Sequence, residues 1–283
     1  MYTRAVGAEV RDIDARVARN QRLSADYNVL SFEAPEIAAH AKPGQFVMVQ
    51  PSRGLDPLLR RPFSIFEILR DPAGKRSGIS IFNKRIGSGT SLLAGIEEGA
   101  RLRCLGPLGK PFVPVAPPAD AWIVAGGVGL AAFVTLAEAL RERDTRATLF
   151  YGARTAADLH CVDLFEARDV RVVLATEDGS AGNQGRVTQP LEAALSERPL
   201  GQPVKLYVCG PTPMMRACAA LAAFHGRACD VSLEQVMGCG MGGCYSCVVP
   251  ARTDAGTVHH TRTCIDGPVF DAQRVVWDAV AGH

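Results

Sequence analysis

The chain has 283 residues, of which 47% are hydrophobic, so it is long enough for two or three domains with buried cores. Its formal net charge is +2, and 31 Lys and Arg residues are interleaved with 29 Asp and Glu residues, which excludes the clustered positive charge of a nucleic-acid-binding protein. The longest apolar stretch, residues 121–140, is interrupted by glycines, so no membrane span is expected. Nine cysteines, an odd number, without a signal peptide predict a reduced, cytoplasmic protein.

The first part of the chain predicts an antiparallel barrel. Residues 1–16 carry mixed charge and few large apolar side chains, and we interpret them as an N-terminal extension. From residue 17 onward, short β-type segments are separated by Pro and Gly turns, with strands predicted at 28–34, 45–51, 64–69, 78–84 and 101–105. This pattern predicts a barrel over residues 17–117. Residues 113–119, at the junction with the next domain, are rich in proline and predict a linker.

Residues 118–228 follow a different pattern, in which apolar strands alternate with helical segments. Strands are predicted at 121–125, 147–152, 170–176 and 204–209, and helices at 130–143, 157–167, 191–196 and 213–224. Alternating strands and helices predict a doubly wound parallel sheet. In such a sheet, ligands bind at the edge formed by the carboxyl ends of the strands.

Three of these predicted strands end in residues that are typical of a nucleotide site. The turn G-G-V-G, residues 126–129, lies where backbone amides and a helix dipole can meet a pyrophosphate, although a tight structural turn fits the same pattern. Residues 176–180, T-E-D-G-S, end a second strand. Cys209 ends a third strand, where a cysteine is usually just a small apolar residue. The pattern alone leaves the functional interpretation of each turn open.

The predicted barrel carries a second candidate nucleotide site. The motif R-R-P-F-S, residues 60–64, is followed by Asn83 and Lys84 and by a G-S-G-T turn at residues 87–90. A cation beside a hydroxyl group, with a glycine turn that opens a helix, is suited to binding a pyrophosphate. An ordinary strand edge accounts for the same residues when they are taken alone.

The last part of the chain, residues 229–283, contains a dense cysteine pattern. Cys239, Cys244 and Cys247 have the spacing C-x4-C-x2-C, and Cys264 follows at a distance, as in a plant-type 2Fe-2S site. Glycines between the cysteines allow the backbone to fold closely around inorganic sulfides. The alternatives are a structural zinc, which usually takes two short C-x2-4-C knuckles, and a disulfide pair. A His-His pair before the fourth cysteine fits a solvated loop, because a Rieske site replaces cysteines rather than adding to four.

Together and in this order, the motifs resemble those of the electron-transfer subunits of class 1B dihydroorotate dehydrogenase. The resemblance rests on R-R-P-F-S, G-S-G-T, G-P-L-G-K-P-F, G-G-V-G, C-G-P-T-P-M-M, M-G-C-G-M-G-G-C-Y-S-C and C-I-D-G-P-V-F, and it covers the chain from about residue 17. It implies an antiparallel FAD-binding barrel, a doubly wound parallel NAD-binding domain and a small C-terminal 2Fe-2S domain.

The resemblance also implies roles for individual residues. The implied FAD contacts are Arg61, Pro62, Phe63, Ser64, Phe82, Asn83, Lys84, Gly89 and Thr90. The implied cluster ligands are the four cysteines of the 2Fe-2S pattern. Gly126, Gly127 and Gly129 are expected at the phosphates of NAD(H), and Cys209 is expected beside the site of hydride transfer as a catalytic residue.

The resemblance implies an oxidoreductase subunit that moves electrons between NAD(H) and a partner through FAD and a 2Fe-2S cluster. The expected partner is a catalytic flavoprotein subunit, dihydroorotate dehydrogenase of pyrimidine biosynthesis, in a heterotetramer. Asn83 and Lys84 stand where relatives often have an aromatic residue and an arginine, and the N-terminal extension is longer than usual. The alternatives are therefore a similar subunit serving a ferredoxin:NADP reductase or a catabolic flavoenzyme, and a zinc-stabilised interaction module. A lone Arg154 leaves the choice between NAD and NADP open, and NAD is expected from the resemblance.

Overall fold

The computed structural model describes residues 9–54 and 56–280, so residues 1–8 of the predicted extension lie outside the described residues. Within the described part, the chain forms two seven-stranded sheets and a two-stranded hairpin. None of its helices combines the length and the apolar character needed to cross a membrane.

The first sheet is antiparallel throughout and forms the predicted barrel. Its strands are β1 (Arg11–Arg22), β2 (Tyr27–Glu33), β3 (Phe46–Val49), β4 (Arg61–Ser64), β5 (Glu67–Arg70), β6 (Arg76–Lys84) and β7 (Arg101–Leu108). Two short helices, α1 (Pro35–Ala38) and α2 (Ser88–Ala94), connect them. The strand order is β4-β3-β7-β1-β2-β6-β5, so β4 and β5 are the edge strands. Valine, isoleucine, leucine and phenylalanine side chains from these strands fill the core.

The barrel begins earlier than the sequence predicted. Strand β1 starts at Arg11 and pairs with both β2 and β7, so the prediction of an extension is wrong for residues 11–16. Ala15 is buried on the inner face, whereas Asp12 and Asp14 point outward and pair with arginines. The strand was missed because its outward positions are charged, although its residues alternate with the period of two that a half-buried strand requires.

The second sheet is the predicted doubly wound sheet, which confirms the fold class. Its order is β11-β10-β9-β8-β12-β13-β16, and all pairings are parallel except that of β16 with β13. The strands are β8 (Asp120–Gly126), β9 (Ala147–Ala153), β10 (Arg171–Thr176), β11 (Asn183–Gln184), β12 (Val204–Cys209) and β13 (Ala228–Ser232), with β16 described below. The helices are α3 (Val134–Arg141), α4 (Val162–Glu166), α5 (Thr188–Glu197) and α6 (Thr212–Phe224). Each face of the sheet has its own apolar core.

Two predicted helices are shorter than expected. The chain after β8 forms a 3-10 segment, Gly127–Ala132, before α3 begins at Val134, because Gly129 packs directly against the backbone at the end of β12. Helix α4 begins at Val162 because Cys161 takes a left-handed conformation with φ 56°. A residue in that conformation cannot continue a right-handed helix, so no helix runs through Cys161.

The cysteine-rich part of the chain leaves the parallel sheet and returns to it. Strand β13 pairs in parallel with β12, so the predicted boundary at residue 229 is wrong and the strand belongs to the sheet. The chain then forms a hairpin of β14 (Val248–Arg252) and β15 (Val258–Arg262), helix α7 (Thr263–Asp266) and the returning strand β16 (Val269–Asp271). We refer to residues 234–268 as the cluster segment. Its last residues are tied to the barrel, since the Lys110 amide donates a hydrogen bond of 2.6 Å to the Gly267 carbonyl.

The predicted linker, residues 113–119, contains no helix or strand but is held in place by a buried tyrosine. The Tyr207 hydroxyl donates a hydrogen bond to the Val113 carbonyl at 2.8 Å and accepts one from the Val115 amide at 2.9 Å. Thr145 donates a further hydrogen bond to the Val115 carbonyl at 2.9 Å. The segment between the barrel and the parallel sheet is therefore an ordered connection.

Candidate functional site

The four cysteines of the motif lie together in the cluster segment and form two pairs. Cys239 is a close neighbour of Cys244, and Cys247 is a close neighbour of Cys264. No three Cys, His, Asp or Glu side chains within residues 9–54 and 56–280 are grouped around the position of one metal ion. A 2Fe-2S cluster has two irons, each with two cysteine ligands, and two thiol pairs are the donor set that it needs.

The surroundings of Cys244 and Cys247 favour thiolates, the form that binds iron. Hydrogen bonds from Ser246, whose hydroxyl oxygen is 3.2 Å from the Cys244 sulfur, lower the pKa of Cys244 to about 6. The hydrogen bond with Cys264 lowers the pKa of Cys247 to about 5 and raises that of Cys264. The Met241 amide donates a hydrogen bond of 3.4 Å to the Cys239 sulfur. Backbone and hydroxyl donors are thus directed at sulfur in this loop.

The cysteine loop packs against the barrel, one strand away from β4. Gly240 has φ +72°, and a Cβ atom on it would lie 2.5 Å from Cγ of Met48 in β3. Cys247 and Cys264 belong to the same apolar cluster as Met48. Met48 pairs with Pro62 across the β3–β4 ladder. The loop is therefore brought next to the R-R-P-F-S motif, from which it is distant in sequence.

The two barrel motifs predicted to bind FAD also come together. Strand β4 carries R-P-F-S, all four residues are half-buried, and the strand lies at the sheet edge. An edge strand leaves backbone N–H and C=O groups free to bind a planar heterocycle. A Cβ atom on Gly89 in α2 would lie 3.4 Å from Nε of Arg61. An exposed edge beside an arginine and the start of a helix fits a flavin nucleotide.

The structure buries the side chains of Phe82 and Asn83, two of the residues predicted to contact FAD. Phe82 is 4% exposed and stacks between Phe66 and Tyr27, with ring centroids 5.5 and 5.6 Å away. Asn83 is completely buried. The Lys84 amine lies 5.1 Å from the centroid of the Tyr27 ring. Since β6 buries Phe82 and Asn83, a direct contact with FAD would have to use their backbone groups.

Asn83 is instead part of a hydrogen-bonded row of three asparagines, which we call the asparagine chain (Asn20, Asn28 and Asn83). Asn83 donates to the Asn28 side-chain oxygen, and Asn28 donates to that of Asn20, both at 2.8 Å. Asn83 also donates to the Thr90 carbonyl at 3.0 Å, and Asn20 to the Ile96 carbonyl at 2.8 Å. The asparagine chain therefore fixes both ends of α2. Sequence reasoning missed it because its members come from three strands.

Of the three predicted nucleotide-site glycines, only Gly127 faces open space. A Cβ atom on Gly129 would lie 2.4 Å from the Cys209 carbonyl oxygen, and one on Gly126 would lie 2.7 Å from the Met214 sulfur. Both positions need glycine because the turns after β8 and β12 pack against each other. Gly127 has φ +52°, and a Cβ atom on it would meet no other atom within 4 Å. Gly127 therefore leaves the turn open on that side.

Cys209 lies at the carboxyl end of β12 and is only 1% exposed. Its sulfur is 3.9 Å from Oε1 of Glu234, the residue that follows β13 by two positions. Burial raises the pKa of Cys209 well above its usual range, and the Glu234 carboxylate raises it further. Cys209 is therefore a neutral thiol, suited to packing beside a nicotinamide ring. The sequence analysis did not identify Glu234. Its position just after the end of a strand is nevertheless typical of a ligand-binding residue in such a sheet.

The fold and these sites define a class of protein: a ferredoxin reductase-like electron-transfer protein with a flavin-binding barrel, a nucleotide-binding sheet and a cysteine-rich cluster segment. Comparison with known protein families supports this class. Residues 234–276 match the iron-sulfur cluster binding domain of dihydroorotate dehydrogenase B, and residues 123–220 match the oxidoreductase NAD-binding domain.

Similar proteins narrow the class to one family. The dihydroorotate dehydrogenase B (NAD(+)) electron transfer subunit of Desulforamulus reducens is 36% identical over 94% of this chain and 98% of the relative. The corresponding subunit of Geobacillus kaustophilus is 39% identical over 91% of this chain and 96% of the relative. The chain belongs to this family of electron transfer subunits. The predicted activity class and the predicted cofactors, FAD, a 2Fe-2S cluster and NAD(H), are confirmed.

Solved structures support the same fold. A structure of NADH-dependent reduced ferredoxin-NADP oxidoreductase, described for flavin-based electron bifurcation, has a TM-score of 0.80 and 29% identity, covering 94% of this chain and 91% of that chain. A ferredoxin reductase of carbazole 1,9a-dioxygenase has a TM-score of 0.65 and 25% identity, covering 79% and 70% of the two chains.

Proposed function

We propose that this chain transfers electrons between NAD(H) and the flavin of a catalytic dihydroorotate dehydrogenase subunit. The observation that carries the proposal is the packing of the cysteine loop against β3, through Gly240 and the Cys247–Cys264 pair, beside the R-P-F-S strand β4. When bound, FAD converts the two-electron hydride of NADH into the single electrons that a 2Fe-2S cluster exchanges.

The residues of the chain bind and orient the carriers. Strand β4 and the start of α2 are proposed to hold FAD, and the asparagine chain keeps α2 in place. Gly127 is proposed to admit the pyrophosphate of NAD(H) at the edge of the parallel sheet. Cys209 and Glu234 are proposed to flank the nicotinamide ring, with the buried thiol excluding water from one side. The Cys239–Cys244 and Cys247–Cys264 pairs are proposed to ligate the two irons.

The catalytic subunit is proposed to dock around the exposed ligand Cys244. Three large apolar side chains near it are exposed: Val236 by 64%, Met241 by 46% and Tyr245 by 58%. The Arg262 guanidinium lies 5.0 Å from the centroid of the Tyr245 ring and holds that ring in place. Exposed apolar groups beside a redox centre are suited to burial against a partner. We expect two copies of each subunit in a heterotetramer.

Replacing one cluster ligand tests the assigned order of carriers. Cys244→Ser should remove the cluster absorption and the electron paramagnetic resonance signal of the reduced cluster, and it should stop electron delivery to the partner. Reduction of the flavin by NADH, followed by its absorbance, should remain. Cys161→Ser, at a half-buried cysteine outside the cluster segment, is the matched control and should leave both signals intact. If Cys244→Ser lost flavin reduction by NADH while Cys161→Ser kept it, the assigned order of carriers would be contradicted.

A second candidate function differs only in the partner. The similarity to the NADH-dependent reduced ferredoxin-NADP oxidoreductase structure, with a TM-score of 0.80, favours a related subunit that serves a ferredoxin-linked flavoenzyme. The two candidates are distinguished by purifying the chain anaerobically with its partner and assaying the complex with dihydroorotate and NAD. Activity supports the dihydroorotate dehydrogenase, whereas a partner inert toward dihydroorotate but reduced by ferredoxin supports the second candidate.

A further inference from the structure

A serine hydroxyl lies beside Cys244, the cysteine of the motif that is exposed at the surface. The Ser246 Oγ is 3.2 Å from the Cys244 Sγ, and it also accepts a hydrogen bond of 2.9 Å from the Gly238 amide. Cys244 and Ser246 are both exposed. Residue 246 lies between the second and third cysteines of the C-x4-C-x2-C motif, where the motif itself requires no hydroxyl group. The serine therefore adds a contact that iron ligation does not need.

The chemistry of an iron ligand fixes the direction of this hydrogen bond. A free thiol and a hydroxyl can each donate, so the distance alone leaves the direction open. An iron-bound cysteine is a thiolate, which has no proton and can only accept. The Ser246 oxygen already accepts from the Gly238 amide, so its own proton is available for the sulfur. Once Cys244 ligates iron, Ser246 is therefore the donor of an O–H···S hydrogen bond.

The residue between the two partners has a backbone conformation that brings them together. Tyr245 has φ 59°, in the left-handed region that residues other than glycine rarely adopt. The Arg262 guanidinium lies 5.0 Å from the centroid of the Tyr245 ring and donates a hydrogen bond of 2.8 Å to the Gly242 carbonyl. Arg262, the last residue of β15, thus contacts the loop on both sides of Cys244. These contacts hold the turn that directs Ser246 at the sulfur.

Gly238 leaves room for the hydroxyl beside the sulfur. A Cβ atom on Gly238 would lie 3.2 Å from the Cys244 Sγ and 3.5 Å from the Ser246 Oγ. The first distance is shorter than an ordinary van der Waals contact, so a side chain at this position would displace the sulfur. The backbone of Gly238 therefore covers the two groups on one side, while its amide orients the hydroxyl.

We propose that Ser246 raises the reduction potential of the 2Fe-2S cluster by donating a hydrogen bond to the ligand Cys244. Reduction transfers one electron from the reduced flavin and converts one ferric iron to ferrous, so the thiolate ligands become more negative. A hydrogen-bond donor at sulfur stabilises that reduced form more than the oxidised form. Ser246 is a positioning residue, because it acts on the cluster only through Cys244. The proposal rests on the proposed function, in which Cys244 ligates iron.

The test measures the midpoint potential of Ser246 variants in the full chain loaded with FAD and its cluster. The readout is the electron paramagnetic resonance signal of the reduced cluster in an anaerobic redox titration. Ser246→Ala should lower the ratio of reduced to oxidised cluster at a given solution potential about tenfold, which corresponds to about 59 mV for one electron. Ser246→Gly also lacks the hydroxyl and should behave in the same way. Ser246→Thr keeps the hydroxyl and should retain the wild-type potential.

A second readout detects the hydroxyl proton itself. In electron-nuclear double resonance spectra of the reduced cluster, replacing water by heavy water should remove a coupled proton in the wild type and in Ser246→Thr. The same proton should be missing from Ser246→Ala in ordinary water. Ser24→Ala is the matched control, because the Ser24 Oγ also accepts backbone hydrogen bonds, from Asp26 and Tyr27 at 3.3 Å, but lies outside the cluster segment. It should change neither readout.

The outcomes separate this proposal from the ligand assignment. A wild-type potential in Ser246→Ala with a complete cluster would overturn the proposal. A lower potential in Arg262→Gln but not in Ser246→Ala would assign the effect to the charge of the arginine and also overturn it. If Ser246→Ala and Ser246→Gly assembled no cluster while Ser246→Thr did, the hydroxyl would be needed for assembly, and the proposed role would be wrong. A wild-type cluster spectrum and iron content in Cys244→Ser would instead contradict the ligation on which the proposal rests.

Discussion

Asn28→Ala should loosen the helix that borders the proposed FAD site. Asn28 is 2% exposed and is the middle member of the asparagine chain, so the substitution removes two hydrogen bonds of 2.8 Å. It leaves the Asn20 side-chain oxygen without its partner and Asn83 with one acceptor, the Thr90 carbonyl. Leaving such groups unsatisfied costs about 1–3 kcal/mol each, so the free energy of unfolding should fall by about 2–4 kcal/mol.

The assay is urea unfolding of the chain with FAD bound, together with the release of FAD followed by flavin fluorescence. Because the asparagine chain fixes both ends of α2, the variant should release FAD at a lower urea concentration than that at which the parallel sheet unfolds. Asn183→Ala is the matched control: Asn183 is exposed and donates one hydrogen bond of 3.0 Å to the Leu174 carbonyl. If the variant had the unfolding free energy and the FAD affinity of the wild type, the role of the asparagine chain in holding α2 would be refuted.

Three further predictions concern the parallel sheet and its contacts. Gly127→Ala should weaken NADH binding, because its Cβ would enter the open space proposed for the pyrophosphate at a residue with φ +52°; the dissociation constant for NADH measures this. Gly129→Ala should instead lower the free energy of unfolding, because its Cβ would lie 2.4 Å from a backbone oxygen. Tyr207→Phe should lower the free energy of unfolding by about 1–3 kcal/mol without changing flavin reduction by NADH, because it releases two linker hydrogen bonds. Burial lowers the pKa of His160, so protonation is disfavoured in the folded state and stability should decline as pH falls through the usual histidine range; His160→Gln should flatten this dependence in thermal unfolding.

Some elements of the fold could be predicted closely because their signal is local. The strand 204–209 was predicted with the bounds that the structure gives, since a continuous apolar run between turn residues specifies a buried parallel strand. The residues of this strand and its two flanking turns contain the whole pattern.

Other features depend on contacts between distant residues and could not be predicted in this way. The helix predicted from residue 130 begins as a 3-10 segment, because Gly129 meets the Cys209 backbone from another strand. The burial of Asn83 depends on Asn28, which lies on the strand paired with β6. The parallel pairing of β13 with β12 is equally non-local, so a short strand beside the cysteine motif was assigned to the wrong domain.

Anaerobic titration of the purified chain, loaded with FAD and its cluster, with NADH tests the central claim most directly. Absorbance and electron paramagnetic resonance are followed together as NADH is added. The account predicts that the flavin bands bleach and that a reduced 2Fe-2S signal appears in the same titration, with two irons for each chain. A colourless protein that contains stoichiometric zinc, or a flavin that NADH reduces without any cluster signal, would contradict it.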